Sequence, residues 1–275
     1  MIDIQGIKEF FPPGIRDNTE YQKLMLKEYI QCQILEYLSN TPYISKLSFI
    51  DGTNLRLIKH IDRFSEDLDF DCKNMSKEEF LSMTDGVIRY LTNLGYIVEP
   101  KDWEHDGLTA FRRSIYFPQL LFSLGLSGYK NARFLIKIEM QDQEVAYKTV
   151  PAFVQSCGFY FPVPVPPDDI LCSMKLSALL NRSKGRDFYD VMFLLAQIKP
   201  NYRFLAIKQG LHNEKELKDA LSLRLGEIDL SSKQQDVKHL LFTSQKSDMI
   251  LHFASFVTSV DLSPRALEQQ DQTRS

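Results

Sequence analysis

The chain has 275 residues and a formal net charge of −3. That balance excludes a uniformly basic coat for nucleic acid but leaves room for a local basic cleft, because total charge does not say where charges lie. With 44% hydrophobic and 25% charged residues, it reads as a globular chain able to bury a core without disulfides or a structural metal.

The four cysteines, Cys32, Cys72, Cys157 and Cys172, are widely spaced and form no CxxC pair. Zinc-type spacing is therefore missing, and reduced thiols are expected. The amino terminus lacks a basic start followed by an apolar run, and no stretch approaches the roughly 20 apolar residues of a membrane span. These features predict a cytoplasmic protein with no membrane partner. Local basic concentrations stand at Arg112–Arg113, Lys130–Arg133 and Arg182–Lys184–Arg186.

In chain order, apolar residues recur at helical spacing from Glu20 to Ser39, predicting an amphipathic helix. Lys46–Ile50 alternates like a short strand, and Thr53–Ile61 has the apolar side of a helix. Asp67–Asp71 alternates strictly, with Leu68 and Phe70 on one face and Asp67, Asp69 and Asp71 on the other. Ser76 and Glu79 fit a capping box that opens a helix ended by Gly95. Strands are predicted at Tyr96–Glu99, Phe111–Phe117 and Phe134–Gln141.

The run 161–167 holds four prolines. Proline lacks the backbone donor, so the run reads as an extended connector. Beyond it the pattern is helical: Asp169–Leu180, Asp187–Ile198, Glu214–Leu225, Gln234–Phe242 and Lys246–Val260. The expected organisation is an α+β core with a mixed sheet over 1–160, the connector 161–167, a helical domain over 168–262 and a frayed polar tail over 263–275.

The run from Asp51 to Asp71 carries most of the chemistry. Asp67 and Asp69 lie two apart on a predicted strand, so their carboxylates share a face and repel. A divalent ion such as Mg²⁺, with Mn²⁺ as the alternative, relieves that repulsion by taking hard oxygen ligands. Gly52 and Thr53 stand between a strand and a helix, where close backbone approach and free helix N–H groups suit a phosphate. With Ser65 they form the first part of the predicted nucleotide-binding set. Phosphate cradle and metal carboxylates on neighbouring elements are what phosphoryl transfer needs.

At this point a resemblance becomes specific. Gly52-Thr53-x-Leu55-Arg56, followed by Arg63-Phe-Ser-Glu-Asp-Leu-Asp-Phe70, resembles the signature of the AbiEii/AbiGii-type toxin family. Lys175-Leu-x-Ala-Leu-Leu-x-Arg182 and Lys184-x-Arg186-Asp187-x-x-Asp190 are similar to that family's carboxy-terminal motifs. The resemblance implies a polymerase-β-like nucleotidyltransferase core followed by a helical carboxy-terminal domain. It also implies an NTP substrate and a toxin of a type IV toxin–antitoxin or phage-defence system, with tRNA or another RNA as acceptor and a cognate antitoxin as partner. Two departures stand out: Asp51 and Asn54 occupy positions where small residues are usual in the family. Asp51 is expected to point away from the site or pair with a base.

Such a core adds a third carboxylate from a later strand, for which Glu139 is the candidate. The resemblance favours Lys175 as the cation for the nucleotide phosphates. Arg182, seven residues on, shares its helix face, and Lys175, Arg182 and Asp187 complete the predicted nucleotide-binding set. Asp187 and Asp190 are three apart on the next helix. Asp187 suits a first-turn position, and Asp190 an acid, base or orienting role. Arg186 can pair with either.

The five histidines, including His60 and His105, show no metal spacing, and Trp103 is expected in the core. Tyr129 and Tyr189 are of a type that stacks on bases, although nothing in the sequence separates them from packing residues. The alternatives are a non-catalytic nucleotide- or RNA-binding relative acting through a partner, and an enzyme modifying a small molecule or a protein.

Overall fold

A computed structural model describes residues 3–102 and 110–264. The expectations for Trp103, His105 and the tail from residue 265 lie outside those residues. The contact pattern divides the chain into two units. One comprises Met1–His60, Phe64–Glu144 and Thr149–Val165, and the other Ile61–Arg63, Val145–Lys148 and Pro166–Ser275. Neither unit is continuous in sequence.

The first unit opens with two short helices, α1 (Ile4–Lys8) and α2 (Pro13–Arg16), and the long α3 (Gln22–Ser39). Met25, Leu26, Ile30, Ile34, Leu35 and Leu38 of α3 are buried. There follow β1 (Leu47–Ile50), α4 (Asp51–Leu57), β2 (Leu68–Cys72), α5 (Lys77–Asn93), β3 (Glu99–Asp102), β4 (Phe111–Tyr116), α6 (Leu120–Ser123) and β5 (Leu135–Gln141). The Ser76–Glu79 capping box forms as expected and starts α5, burying Phe80, Met83, Val87 and Leu91.

Among the described residues the main sheet has the order β1-β2-β5-β4-β3. Strand β2 runs parallel to β5, and the other neighbours are antiparallel. Phe70, Ile136, Ile138, Met140 and Ile115 are buried, so the alternation of β2 and β5 turns one face to the core and leaves Asp69 and Glu139 on the other.

Two expectations need correction here. The strand anticipated at Tyr96–Glu99 begins at Glu99 instead. Tyr96 follows the end of α5 and is tied to it: its N–H reaches back to the Leu91 carbonyl while Gly95 takes a φ of 91°, a left-handed helix stop that glycine accepts at little cost. The Pro-rich run is not a connector throughout. Phe161–Val165 is part of β7 (Phe159–Val165), which pairs with β6 (Val150–Ser156) in a hairpin. In a two-stranded ribbon each strand keeps an open edge, so prolines that donate nothing are tolerated.

The second unit is helical: α7 (Asp168–Arg182), α8 (Gly185–Leu195), α9 (Tyr202–Gln209), α10 (Glu214–Leu225), α11 (Leu230–Lys238), a 3-10 run over Ser244–His252 and α12 (Phe253–Ser259). The single helix expected over Lys246–Val260 is thus split into two kinds of turn. Helix α9 is too short for its periodicity to stand out, but Asn201 caps it by accepting the Phe204 N–H. Gly185 allows a close crossing, because a Cβ there would stand 2.1 Å from the Lys233 carbonyl oxygen at the start of α11. Its own N–H donates to Asp236.

Candidate active site

In the first unit the carboxylates are set by sheet register. Asp69 of β2 is the direct neighbour of Glu139 of the parallel strand β5, and Glu139 is in turn opposite Arg112 of β4. Asp67 lies just ahead of β2. Thr53, fully buried on α4, donates its hydroxyl to the Asp67 carbonyl at 2.5 Å. This bond ties the helix after β1 to the start of the acidic strand. The Thr53 hydroxyl therefore serves backbone positioning of Asp67 rather than facing an open phosphate cradle. Gly52 beside it is buried, and Ser65 is half-buried with its carbonyl accepting from Gln31.

Asp51 has a φ of 59°, a left-handed conformation that Asp tolerates better than most residues. Asp71 is buried and accepts the Gln143 N–H at 2.9 Å, a bond that ties the end of β2 to the chain just after β5.

Two bases balance the acids. Arg112 grips both oxygens of Glu139, at 2.7 Å through Nε and 2.9 Å through a terminal nitrogen. Lys137 Nζ stands 3.6 Å from Asp67. Neither base was assigned from the sequence, because nothing local says which strand lies beside β5.

Among the described residues no group of three His, Cys, Asp or Glu side chains could hold a metal ion. Mg²⁺ commonly needs only one or two carboxylates, the remaining ligands being water and substrate phosphate. Asp67 and Asp69 supply hard oxygens of that kind. The donor set therefore fits an ion that arrives with a nucleotide.

In the second unit the residues of the later motifs form a buried ion network. Asp190 on α8 is fully buried and receives a two-pronged bond from Arg63, at 2.6 and 2.7 Å. Lys175 Nζ on α7 lies 2.7 Å from the same carboxylate. Burial alone would raise the Asp190 pKa, but the charges of Arg63 and Lys175 overcome it and hold the group at about 2.

Asp187 accepts from Arg182 at 2.8 and 3.0 Å and from the Lys184 N–H at 3.0 Å, which is the first-turn position its spacing predicted. Against its burial, Arg182 and Lys175 keep its pKa below the usual range. Lys175 and Arg182 thus engage different carboxylates. Arg63, not Arg186, is the guanidinium on Asp190, across 127 residues of sequence. Asp62, next to Arg63, takes the Tyr189 hydroxyl at 2.7 Å and pairs with Lys246, so Tyr189 is occupied by a carboxylate.

The chain's sequence matches the family described as nucleotidyl transferase AbiEii toxin, type IV TA system, over residues 33–262. It belongs to the AbiEii family. A comparison with curated proteins finds no match.

Among solved structures, MenT4, a nucleotidyltransferase toxin of Mycobacterium tuberculosis, superposes with a TM-score of 0.59 at 17% identity, covering 98% of this chain and 93% of that one. JHP933 from Helicobacter pylori gives a TM-score of 0.55 at 19% identity, covering 91% and 96%. A putative nucleotidyltransferase from Helicobacter pylori gives 0.56 at 18%, covering 91% and 97%. At such identities the likeness speaks for the fold: this AbiEii chain has the α+β nucleotidyltransferase architecture that its motifs implied. Family membership makes it a nucleotidyltransferase of a type IV toxin–antitoxin family. Among the described residues no helix is long and apolar enough to cross a membrane.

Proposed function

We propose that this AbiEii chain transfers a nucleotidyl group from an NTP to a hydroxyl of an RNA, tRNA being the first candidate, with Mg²⁺ (or Mn²⁺) held by Asp67 and Asp69. The observation carrying the proposal is the register that sets Glu139 beside Asp69, two residues after Asp67. In the reaction the acceptor oxygen bonds to the α-phosphorus as the bond to pyrophosphate breaks. The acceptor proton leaves to a carboxylate or to water. The bound ion would supply positive charge to the phosphates and make the acceptor hydroxyl easier to deprotonate.

The chain's own residues do the positioning. Thr53, next to Gly52, holds the Asp67 backbone. Arg112 sets the Glu139 carboxylate. In the helical unit Asp190 holds the buried Lys175 in place and Asp187 fixes Arg182, and Arg182, 36% exposed, is the cation of this unit that we assign to a phosphate. Ser65 is a further hydroxyl for the nucleotide. As a toxin in the cytoplasm the protein would act against its own cell, or during phage infection, and be restrained by a cognate antitoxin.

The test is incubation with each α-labelled NTP, Mg²⁺ and total RNA, comparing the natural chain with Asp69→Ala. We expect label in RNA, reduced at least 100-fold in the variant. Equal labelling by both proteins would overturn the site. Label appearing only in protein or in a small molecule would overturn the RNA acceptor. Expression of the natural chain should stop growth and Asp67→Ala should relieve the arrest; equal toxicity would overturn the toxin mechanism.

A further inference from the structure

The sheet face that bears Asp69 and Glu139 continues away from them as a row of bases and aromatic rings. Beyond the Asp69–Glu139–Arg112 row, Lys137 of β5 is opposite Ser114 of β4, which is opposite Lys101 of β3. One step further, Leu135 is opposite Tyr116. Residues two apart on a strand and their cross-strand partners share a face, so Arg112, Lys137, Lys101 and Tyr116 stand on the carboxylate side. Lys101 Nζ lies 3.9 Å from the centre of the Tyr116 ring, a cation–π contact that keeps base and ring together.

The row ends at the loop leading into β5, which the Phe117 N–H bond to the Phe134 carbonyl holds against the end of β4. There Tyr129 is 81% exposed, and Lys130 and Arg133 are exposed beside it. Lys130 Nζ sits 5.8 Å from the exposed Phe122 ring. Short turns preorganise this loop: the Tyr129 N–H donates to Ser127 and the Ala132 N–H to the Tyr129 carbonyl. From Arg133 to Glu139 is six residues, about 20 Å of extended chain. Glu99, opposite Tyr116, is an acid on the same face, but Lys101, Lys130 and Arg133 outnumber it.

Alternating cations and rings suit a single nucleic-acid strand, whose phosphates take the bases while its unpaired bases stack. A folded protein partner would instead call for a continuous apolar centre. We infer that a single RNA strand lies along this face from Tyr129, Lys130 and Arg133 past Tyr116 and Lys101, and delivers its acceptor hydroxyl to the Asp67–Asp69–Glu139 row. This inference rests on the proposed RNA acceptor and names where that RNA binds.

The experiment measures binding of a fluorescein-labelled single-stranded RNA to the full chain by anisotropy across a salt series. The variants are Tyr129→Ala, Lys130→Glu with Arg133→Glu, and Lys101→Glu, each checked for an unchanged unfolding midpoint. We expect Tyr129→Ala to weaken binding by about tenfold. Each lost phosphate contact should flatten the slope of log affinity against log salt by about 0.7, and a duplex of the same sequence should bind less tightly. Variants that bind like the natural chain, tighter binding of the duplex, or no binding by the natural chain would each overturn the inference. If these residues govern RNA binding but no label enters RNA in the transfer assay, the proposed reaction fails and the surface stands. If label enters RNA equally in all variants, the surface fails and the reaction stands.

Discussion

The acidic groups of the sheet unit and those of the helical unit meet their counter-charges in opposite environments. On the sheet, Glu139 and Arg112 keep 22% and 38% of their side-chain surface exposed, and Asp67 and Lys137 keep 19% and 38%. Pairs in contact with water are worth little and exchange partners readily. In the helical unit, Asp190, Arg63 and Lys175 are 0%, 0% and 2% exposed. Ions buried to that degree recover their desolvation cost only in good geometry, and losing one partner strands the other. One set of charges is therefore open to water, while the other is a buried frame that holds Lys175 in place.

The largest test of this contrast is removal of a cation from each set. Arg63→Met should destabilise the protein by about 3–5 kcal/mol, because it leaves Asp190 short of a buried partner. Arg112→Met should cost less than about 1 kcal/mol. Urea unfolding compares the two, and similar losses would remove the distinction.

A smaller effect is expected from acid. The Asp190 pKa is depressed to about 2, below its value in an unfolded chain. Its stabilising contribution is therefore complete above the ordinary carboxylate range near 4 and is lost as pH falls through about 2. Thermal unfolding should show a decline between those limits that is shallower in Asp190→Asn, and parallel curves would contradict the assignment.

Next, Thr53→Val keeps the shape and removes the hydroxyl that holds the Asp67 carbonyl. A stability loss of about 1 kcal/mol is expected, with a higher Mg²⁺ concentration for half-maximal activity in the proposed transfer as the functional readout. The smallest change belongs to Lys137→Gln at the 3.6 Å contact with Asp67. It should move stability by less than about 0.5 kcal/mol while altering the salt dependence of activity.

Local signals carried much of the reading. The Asp67–Asp69 alternation, the capping box of α5 and most helices of the second unit need only neighbours in sequence, since period and caps act within one or two turns. The motifs around Gly52, Arg63, Lys175 and Asp190 were enough to name the AbiEii family. The left-handed backbone at Asp51, the bond from Thr53 to Asp67 and the prolines seated in a hairpin were not visible at that level.

The division is clearest for the charges. Sequence alone determined which carboxylates are present and that Asp69 faces away from the buried Leu68 and Phe70, because a strand's side chains alternate whatever lies beside it. Tertiary structure decided their partners: Glu139 beside Asp69, Arg112 on Glu139, and Arg63 on Asp190 across 127 residues. Those pairings depend on strand register and helix packing, which are set by burial of the apolar faces, so no spacing of charged residues could announce them.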